Sequence, residues 1–159
     1  MPVVGNAGPL IALARIECLD LLEELFGAVA IPPAVYAEVT RNPDLPGAHV
    51  LEQASWLAIH EVGDQVAVQR LRFWLDAGES EAIALAQELG ALLLMDERRG
   101  RAAATALGLQ VTGTVGILLA AKRRGYVSAV LPLLNALLAA GIRLSPRLYE
   151  EARRLAGES

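Results

Sequence analysis

Residues 75–101 read LDAGESEAIALAQELGALLLMDERRGR and contain a helical pattern, an apolar run and an acid in direct succession. Apolar residues recur at helical spacing from Gly78 to Gly90, which predicts an amphipathic helix closed by a glycine. The run Leu92–Met95 predicts a buried central strand. Asp96 stands where that strand ends, and a second helix is predicted from Arg98 to Leu107. This order is typical of an α/β protein with a parallel sheet.

The same alternation of short apolar runs and helical patterns extends over the whole chain. Further strands are predicted at Val3–Val4, Val29–Ile31, Trp56–Ile59 and Leu109–Val111. Further helices are predicted from Pro9 through LIALARI, from Pro33 through AVYAEV, and over Val115–Arg124, Leu131–Ala140 and Pro146–Leu155. Because the 159 residues contain no internal repeat or linker, we expect a single domain over residues 1–159. The expected fold is a three-layer α/β/α sandwich with a mostly parallel sheet and a helical C-terminal end.

Composition narrows the class of protein further. Hydrophobic residues make up 54% of the chain and aromatic residues only 4%, so the core must be aliphatic. The single cysteine, Cys18, cannot form an internal disulfide, and no basic region precedes the apolar residues of the N-terminus, so we expect a cytoplasmic protein. The uncharged run from Gly125 to Ile142 is interrupted by polar residues and Pro132, which favours buried helices over a membrane span.

Charge is distributed unevenly along the chain, although the net charge is only −4. Residues 1–97 contain 15 acidic and 4 basic residues, whereas residues 98–149 contain 8 basic and no acidic residues. The cluster Lys122–Arg124 has two interpretations, because cations also favour the last turn of a helix. Arg98, Arg99 and Arg101 open a helix, where the helix dipole disfavours cations, so they are the better candidates for binding phosphate.

A helical wheel separates the acids of the predicted helix Gly78–Gly90. Glu79 falls beside Ile83 on the apolar arc, whereas Glu81 falls on the opposite side. We therefore expect Glu79 to face the interior and Glu81 to face water. A buried carboxylate costs several kcal/mol unless a cation or several donors neutralise it, which favours a functional Glu79. The alternative is a helix N-terminal charge stabilised by the dipole.

Three more polar residues are candidates for the same site. Asp96 follows a buried strand, at the edge of the sheet where ligands bind in open α/β folds, but it could also cap the next helix. Glu38 lies between apolar wheel positions and could equally be a solvated helix residue. Asn6 follows the first strand and could serve as a turn or cap residue before Pro9.

Four segments taken together resemble the PIN-like family, which includes the ribonuclease toxins of VapBC toxin–antitoxin pairs. These segments are VVGNAGPLIALARI, VAIPPAVYAEV, LDAGESEAIALAQELGALLLMDERRGR and LQVTGTVGILLAAKRRG. The resemblance implies a doubly wound parallel sheet whose strand ends gather acidic residues around Mg²⁺ or Mn²⁺. The matching positions are Asn6, Glu38, Glu79 and Asp96. Asn6 departs from the usual Asp and removes one negative charge from the expected site.

The resemblance implies hydrolysis of RNA phosphodiester bonds, with a metal-bound water as nucleophile. Glu79 and Asp96 would contribute most to metal binding, with Glu38 completing the ligand set and Asn6 orienting a ligand or water. Thr112 and Thr114 precede a helix and could bind phosphate, or Thr114 could be an N-cap.

The family also implies partners for such a nuclease. These are RNA, a small antitoxin protein and a second copy in a homodimer. Arg98, Arg99 and Arg101, which the charge distribution indicates as phosphate ligands, would hold the RNA backbone. The alternative function is a catalytically weakened PIN-like module that binds RNA or a protein. A phosphotransferase is disfavoured, because the chain has no P-loop.

Overall fold

A computed structural model of the protein describes residues 1–41 and 48–159, and its centre is a five-stranded parallel sheet. The strands are β1 (Val3–Gly5), β2 (Val29–Ile31), β3 (Leu57–Ile59), β4 (Leu92–Leu94) and β5 (Val111–Thr112). Their order in the sheet is β3-β2-β1-β4-β5. Strands β2 and β3 lie on one side of β1, and strands β4 and β5 lie on the other. The topological switch point therefore lies between β1 and β4.

Helices surround this sheet. They are α1 (Ala7–Arg15), α2 (Asp20–Phe26), α3 (Pro33–Thr40), α4 (Ala48–Gln53), α5 (Gln65–Leu71), α6 (Ala77–Leu89), α7 (Arg98–Ala106), α8 (Thr114–Arg123), α9 (Leu131–Ala139) and α10 (Pro146–Ala156). The expected α/β architecture with a parallel sheet is confirmed.

The central strands are buried because their side chains are aliphatic throughout. Val4 in β1 and both Leu93 and Leu94 in β4 are fully buried, and β4 pairs with β1 in the register Val3↔Leu92 to Gly5↔Leu94. A strand that is apolar on both faces must be covered by helices on both sides. This register brings the residues that follow β1 and β4 to the same edge of the sheet.

Several element boundaries differ from the predicted ones. Helix α1 begins at Ala7, two residues before Pro9, and β5 covers Val111–Thr112 in place of Leu109–Val111. The sequence pattern does not indicate α2, α4 or α5, which are only six or seven residues long. Such short helices present about two turns, too few for an apolar stripe to stand out. Within the described residues, no helix is both long enough and apolar enough to span a membrane.

The C-terminal helices are joined by a half-buried ion pair. Lys122 on α8 donates to Glu158 at 2.8 Å and to the carbonyl oxygen of Ala156 at 2.6 Å. Glu158 also accepts the backbone N–H groups of Val130 and Leu131 at the start of α9. These bonds lower the pKa of Glu158 to about 2. A single carboxylate thus connects α8, α9 and the residues that follow α10.

Candidate active site

The turn after β1 and the loop after β4 meet at the switch point of the sheet. The backbone N–H of Asn6 donates to the carbonyl oxygen of Leu94 at 2.9 Å, which extends the pairing of β1 with β4 by one residue. A methyl group placed on Gly8 would lie 3.6 Å from Oδ2 of Asp96. Both residues lie at the same edge of the sheet, but Asn6 is buried and Asp96 is exposed to solvent.

Asp96 is held in place by the first residue of α8. Its Oδ1 accepts the backbone N–H of Thr114 at 2.7 Å, and its Oδ2 accepts the Thr114 hydroxyl at 2.6 Å. Both donors of Thr114 are therefore committed to Asp96, and the carboxylate lies at the positive end of the helix dipole. The N-cap interpretation of Thr114 is wrong, because Gly113 occupies that position. The cap interpretation of Asp96 is also wrong, since Glu97 caps α7.

Gly113 lies between Asp96 and a neighbouring arginine. A Cβ atom at this position would lie 2.6 Å from Oδ1 of Asp96 and 3.0 Å from Nη1 of Arg101, so a side chain there would displace the carboxylate from its position. Arg101 itself donates to the carbonyl oxygen of Met95 at 2.9 Å. The guanidinium is thereby positioned beside the carboxylate of Asp96, where it contributes positive charge to an otherwise acidic edge.

Three oxygens from separate elements converge on the first turn of α6. A Cβ atom on Gly78 would lie 3.0 Å from Oε1 of Glu38, 3.6 Å from Oδ1 of Asn6 and 3.7 Å from Oδ1 of Asp76. Burial raises the pKa of Glu38, the nearby charge of Asp76 raises it further, and Arg41 opposes the shift. Gly78 thus leaves a small space lined by oxygen atoms and negative charge.

Glu79 faces inward, as the helical wheel predicts, and its side chain is only 8% exposed. It forms a capping box with Asp76: the N–H of Glu79 donates to Oδ1 of Asp76 at 2.8 Å, and Oε1 of Glu79 accepts the N–H of Asp76 at 3.0 Å. Glu81 does not simply face water. It is half-buried and accepts the backbone N–H of Ala34 at 3.0 Å, which connects α6 to the start of α3.

The carboxyl groups of Glu79 and Glu97 lie close enough for each to shift the pKa of the other. Burial raises the pKa of Glu79 from 4.5 to about 7, and its hydrogen bond to Glu97 and the charge of Asp76 contribute to the same shift. Burial alone would raise the pKa of Glu97. The hydrogen bond with Glu79 and the N–H groups of Gly100 and Arg99 outweigh burial, so the pKa of Glu97 is lowered overall. These opposite shifts favour the proton on Glu79 and the negative charge on Glu97.

The structure brings the four predicted acid-site positions to one edge of the sheet. Asn6 and Glu38 meet at Gly78, Glu79 is the next residue of α6, and Asp96 lies beside Gly8. Their oxygens are the ligand type that Mg²⁺ and Mn²⁺ prefer. In residues 1–41 and 48–159, however, no three Asp, Glu, His or Cys side chains are close enough to form a ready metal cluster.

The predicted phosphate-binding arginines separate into two kinds. Arg98 and Arg99 are exposed in the first turn of α7, whereas Arg101 is half-buried and bound to Met95. In the cluster Lys122–Arg124, Lys122 binds Glu158 and Arg124 donates to the carbonyl oxygen of Leu25. These contacts favour a structural role at the end of α8 over phosphate binding. The exposed pair at α7 is therefore the better placed of the two clusters to contact a nucleic-acid backbone.

Two acids that were not predicted from the sequence also belong to this edge, Asp76 and Glu97. Asp76 carries a recognisable signal, because Asp76 and Glu79 have the spacing of a capping box. Glu97 follows Asp96 directly and could have been paired with Glu79 only by knowing how α6 packs beside α7. The role of Gly78 also needs the tertiary structure, since the side chains that approach it come from α3 and from the turn after β1.

A cavity of about 400 Å³ opens beside Asp96 and extends toward the C-terminal helices. Its lining includes Asp96, Arg101, Thr112, Leu119, Leu137 and Arg143. Thr112, half-buried at the end of β5, lines this cavity, whereas the donors of Thr114 are taken up by Asp96. The two arginines give the cavity a cationic character next to the acids of the sheet edge.

Comparison with known proteins agrees with this architecture. A comparison with curated proteins finds no match to the chain. The family profile described as a PIN domain matches residues 2–158, nearly the full length. The match includes all five strands and every acid described above. The chain therefore belongs to the PIN-domain family.

Proposed function

We propose that this protein is a metal-dependent endoribonuclease that hydrolyses RNA phosphodiester bonds at the edge formed by Asn6, Glu38, Glu79 and Asp96. PIN domains are generally nucleases, they act on nucleic acids, and they generally use divalent metal ions. The observation that carries the proposal is the space at Gly78, where oxygens of Asn6, Glu38 and Asp76 approach one point. Gathering negative charge in this way is unfavourable in the absence of a cation.

Each residue has a distinct part in the proposed reaction. Glu38, Glu79 and Asp96 would hold Mg²⁺ or Mn²⁺ by carboxylate oxygens, and Asn6 would contribute its neutral amide oxygen. A bound divalent ion would supply a water of lowered pKa and offset charge on the phosphate. Thr114 keeps Asp96 oriented through its two hydrogen bonds. Arg98 and Arg99 would contact the RNA backbone, with Thr112 and Arg101 beside them at the cavity.

The proposal is tested by incubating purified protein with single-stranded RNA and Mn²⁺. Asp96→Asn and Glu79→Gln should each lower the cleavage rate at least tenfold, because each removes one negative ligand. Glu24→Gln provides the matched control, since Glu24 is an exposed acid on α2, away from the sheet edge. Equal rates for wild type and both site variants, or the absence of cleavage by all of them, would contradict the proposal.

A second candidate is a PIN domain that binds RNA or a protein with little or no catalysis. The observation in its favour is Asn6, which occupies the acid position of the first strand with a neutral side chain. Calorimetric titration with Mn²⁺ separates the two, because a nuclease must take up the ion and a binding module need not. Asn6→Asp should strengthen Mn²⁺ binding if the position is a ligand, and a variant with unchanged affinity would exclude that role.

The proposed cellular role is that of the toxin in a toxin–antitoxin pair, acting in the cytoplasm. Its support is the resemblance of the four sequence segments to such toxins. A small antitoxin protein would then cover the acidic edge, and a homodimer would be the expected assembly. Purification together with the product of the adjacent reading frame tests this role. A neighbour that neither binds the chain nor changes its RNA cleavage would contradict it.

A further inference from the structure

Two aromatic side chains are exposed on the turn between α5 and α6. Phe73 is 82% exposed and Trp74 is 67% exposed, in a chain that has only two residues of each type. Large aromatic residues contribute most when they are buried, so an adjacent exposed pair needs an explanation. The other tryptophan, Trp56, is 8% exposed and belongs to the core.

The turn presents these rings from an ordered backbone. The N–H of Phe73 donates to the carbonyl oxygen of Arg70, and that of Trp74 donates to Leu71. Leu75 is buried and anchors the end of the turn. The ring centroids are 6.0 Å apart with planes tilted by 58°, so the rings do not stack face to face and each keeps surface open to a ligand.

Cations are interleaved with the aromatic residues in this segment, which reads RLRFWL. Arg70 and Arg72 are both exposed and are two of the four basic residues among the first 97. Positive charge beside exposed rings is the combination that binds single-stranded nucleic acid, since the cations attract phosphates while bases stack on the rings. Arg70 lies in the last turn of α5, where the helix dipole also favours a cation. Arg72, Phe73 and Trp74 follow that helix, so this explanation does not apply to them.

The segment directly precedes the proposed active site. Trp74 is two residues from Asp76, the N-cap of α6, and two residues of extended chain span at most about 7 Å. Gly78, where the oxygens of Glu38 and Asn6 converge, lies in the first turn of the same helix. A strand whose phosphate reached the acids could therefore place a neighbouring base on the aromatic pair.

We propose that Arg70, Arg72, Phe73 and Trp74 form a platform on which bases of single-stranded RNA stack beside the active site. The inference rests on the proposed nuclease function and specifies how its substrate is held. Stacking is tolerant of sequence, because every base has an aromatic face, and it requires bases that are free of a duplex. A second protein copy is the disfavoured occupant. Two aromatic side chains offer roughly 300–500 Å², whereas a stable interface needs about 800 Å² from each partner.

The platform is tested by titrating the full chain with a short labelled oligouridylate in EDTA, where hydrolysis is suppressed. Trp74 fluorescence should be quenched on binding, and acrylamide should lose access to Trp74 while buried Trp56 is unaffected. Phe73→Ala and Trp74→Ala should each weaken binding by about fivefold or more, as expected for loss of one stacked base. Trp74→Phe should retain most of the affinity. Arg72→Ala should reduce the salt dependence of binding by about one counterion.

Leu155→Ala is the matched control, because Leu155 is 57% exposed on α10 and its truncation should leave binding unchanged. Unchanged affinity of both alanine variants, or no binding by the wild type, would overturn the platform. Sedimentation that shows a wild-type dimer and a Trp74→Ala monomer with equal RNA affinity would also overturn it and would assign the surface to self-association. Failure of the nuclease proposal is distinguishable: Mn²⁺-dependent cleavage would then be absent although RNA binding still depended on Trp74.

Discussion

Replacing Glu79 by glutamine should stabilise the metal-free protein at alkaline pH and not at acidic pH. The raised pKa of Glu79, about 7 against an ordinary 4.5, means that the folded state binds this proton more tightly than the unfolded chain does. The stabilisation it contributes is therefore complete below about pH 4.5 and is lost as the pH rises through about 7. Glutamine never ionises, and its oxygen can still accept the N–H of Asp76 in the capping box.

The magnitude follows from the size of the pKa shift. One pKa unit corresponds to about 1.4 kcal/mol. The ionisation of Glu79 thus costs the folded state roughly 3 kcal/mol without screening, and about 1–2 kcal/mol once solvent screening is allowed for. The Glu79→Gln variant should exceed wild type by that smaller amount in free energy of unfolding at pH 8, and the two should be nearly equal at pH 5.

Urea denaturation in EDTA at pH 5, 6, 7 and 8 measures this difference, with Glu24→Gln as the control for removal of one acidic charge. Mn²⁺ at about 100 times its Kd should then stabilise wild type by roughly 2.7 kcal/mol at pH 8. It should stabilise the Glu79→Gln variant less. A difference in unfolding free energy that stays constant from pH 5 to pH 8, or that matches the control, would refute the assignment of a buried, protonated Glu79.

Three further predictions concern the surroundings of the site. Gly78→Ala should abolish Mn²⁺ binding in calorimetry by displacing Glu38, whose Oε1 would lie 3.0 Å from the new methyl group, while urea denaturation changes by less than about 1 kcal/mol. Thr114→Val should lower the free energy of unfolding by about 1.5–3 kcal/mol, because the buried hydroxyl's 2.6 Å hydrogen bond to Asp96 is lost. Glu158→Gln should lower the Tm at pH 7, since the low pKa of Glu158, about 2, gives a stabilisation that is present above its ordinary pKa of 4.5. Calorimetric scans should show this Tm difference shrinking as the pH falls toward 2.

Much of the fold could be predicted because its signals are local. The apolar run of β4 and the helical spacing of α6 each depend on neighbouring residues only, and the wheel position of Glu79 follows from the geometry of a single helix. The short helices α2, α4 and α5 were not predicted, because six or seven residues are too few for an apolar stripe to stand out. Glu81 was expected to face solvent, but its carboxylate accepts a backbone N–H of α3, 47 residues away in sequence.

The exposed aromatic pair is a further case in which tertiary context overrides composition. Phe73 and Trp74 belong to the residue types that usually fill cores, and the chain is poor in aromatic residues. Their exposure follows from the register of the turn. Leu71 and Leu75 are the residues that pack inward there, and the residues between them point outward.

The amino-acid sequence by itself determined the class of fold, the strand that carries Asp96 and the inward direction of Glu79, because repeating patterns act over a few residues. Only the tertiary structure decided which oxygens meet. The approach of Glu38 and Asn6 to Gly78, the mutual pKa shifts of Glu79 and Glu97, and the two bonds from Thr114 to Asp96 all join segments distant along the chain. Such contacts depend on how helices pack across the sheet, which no local pattern records.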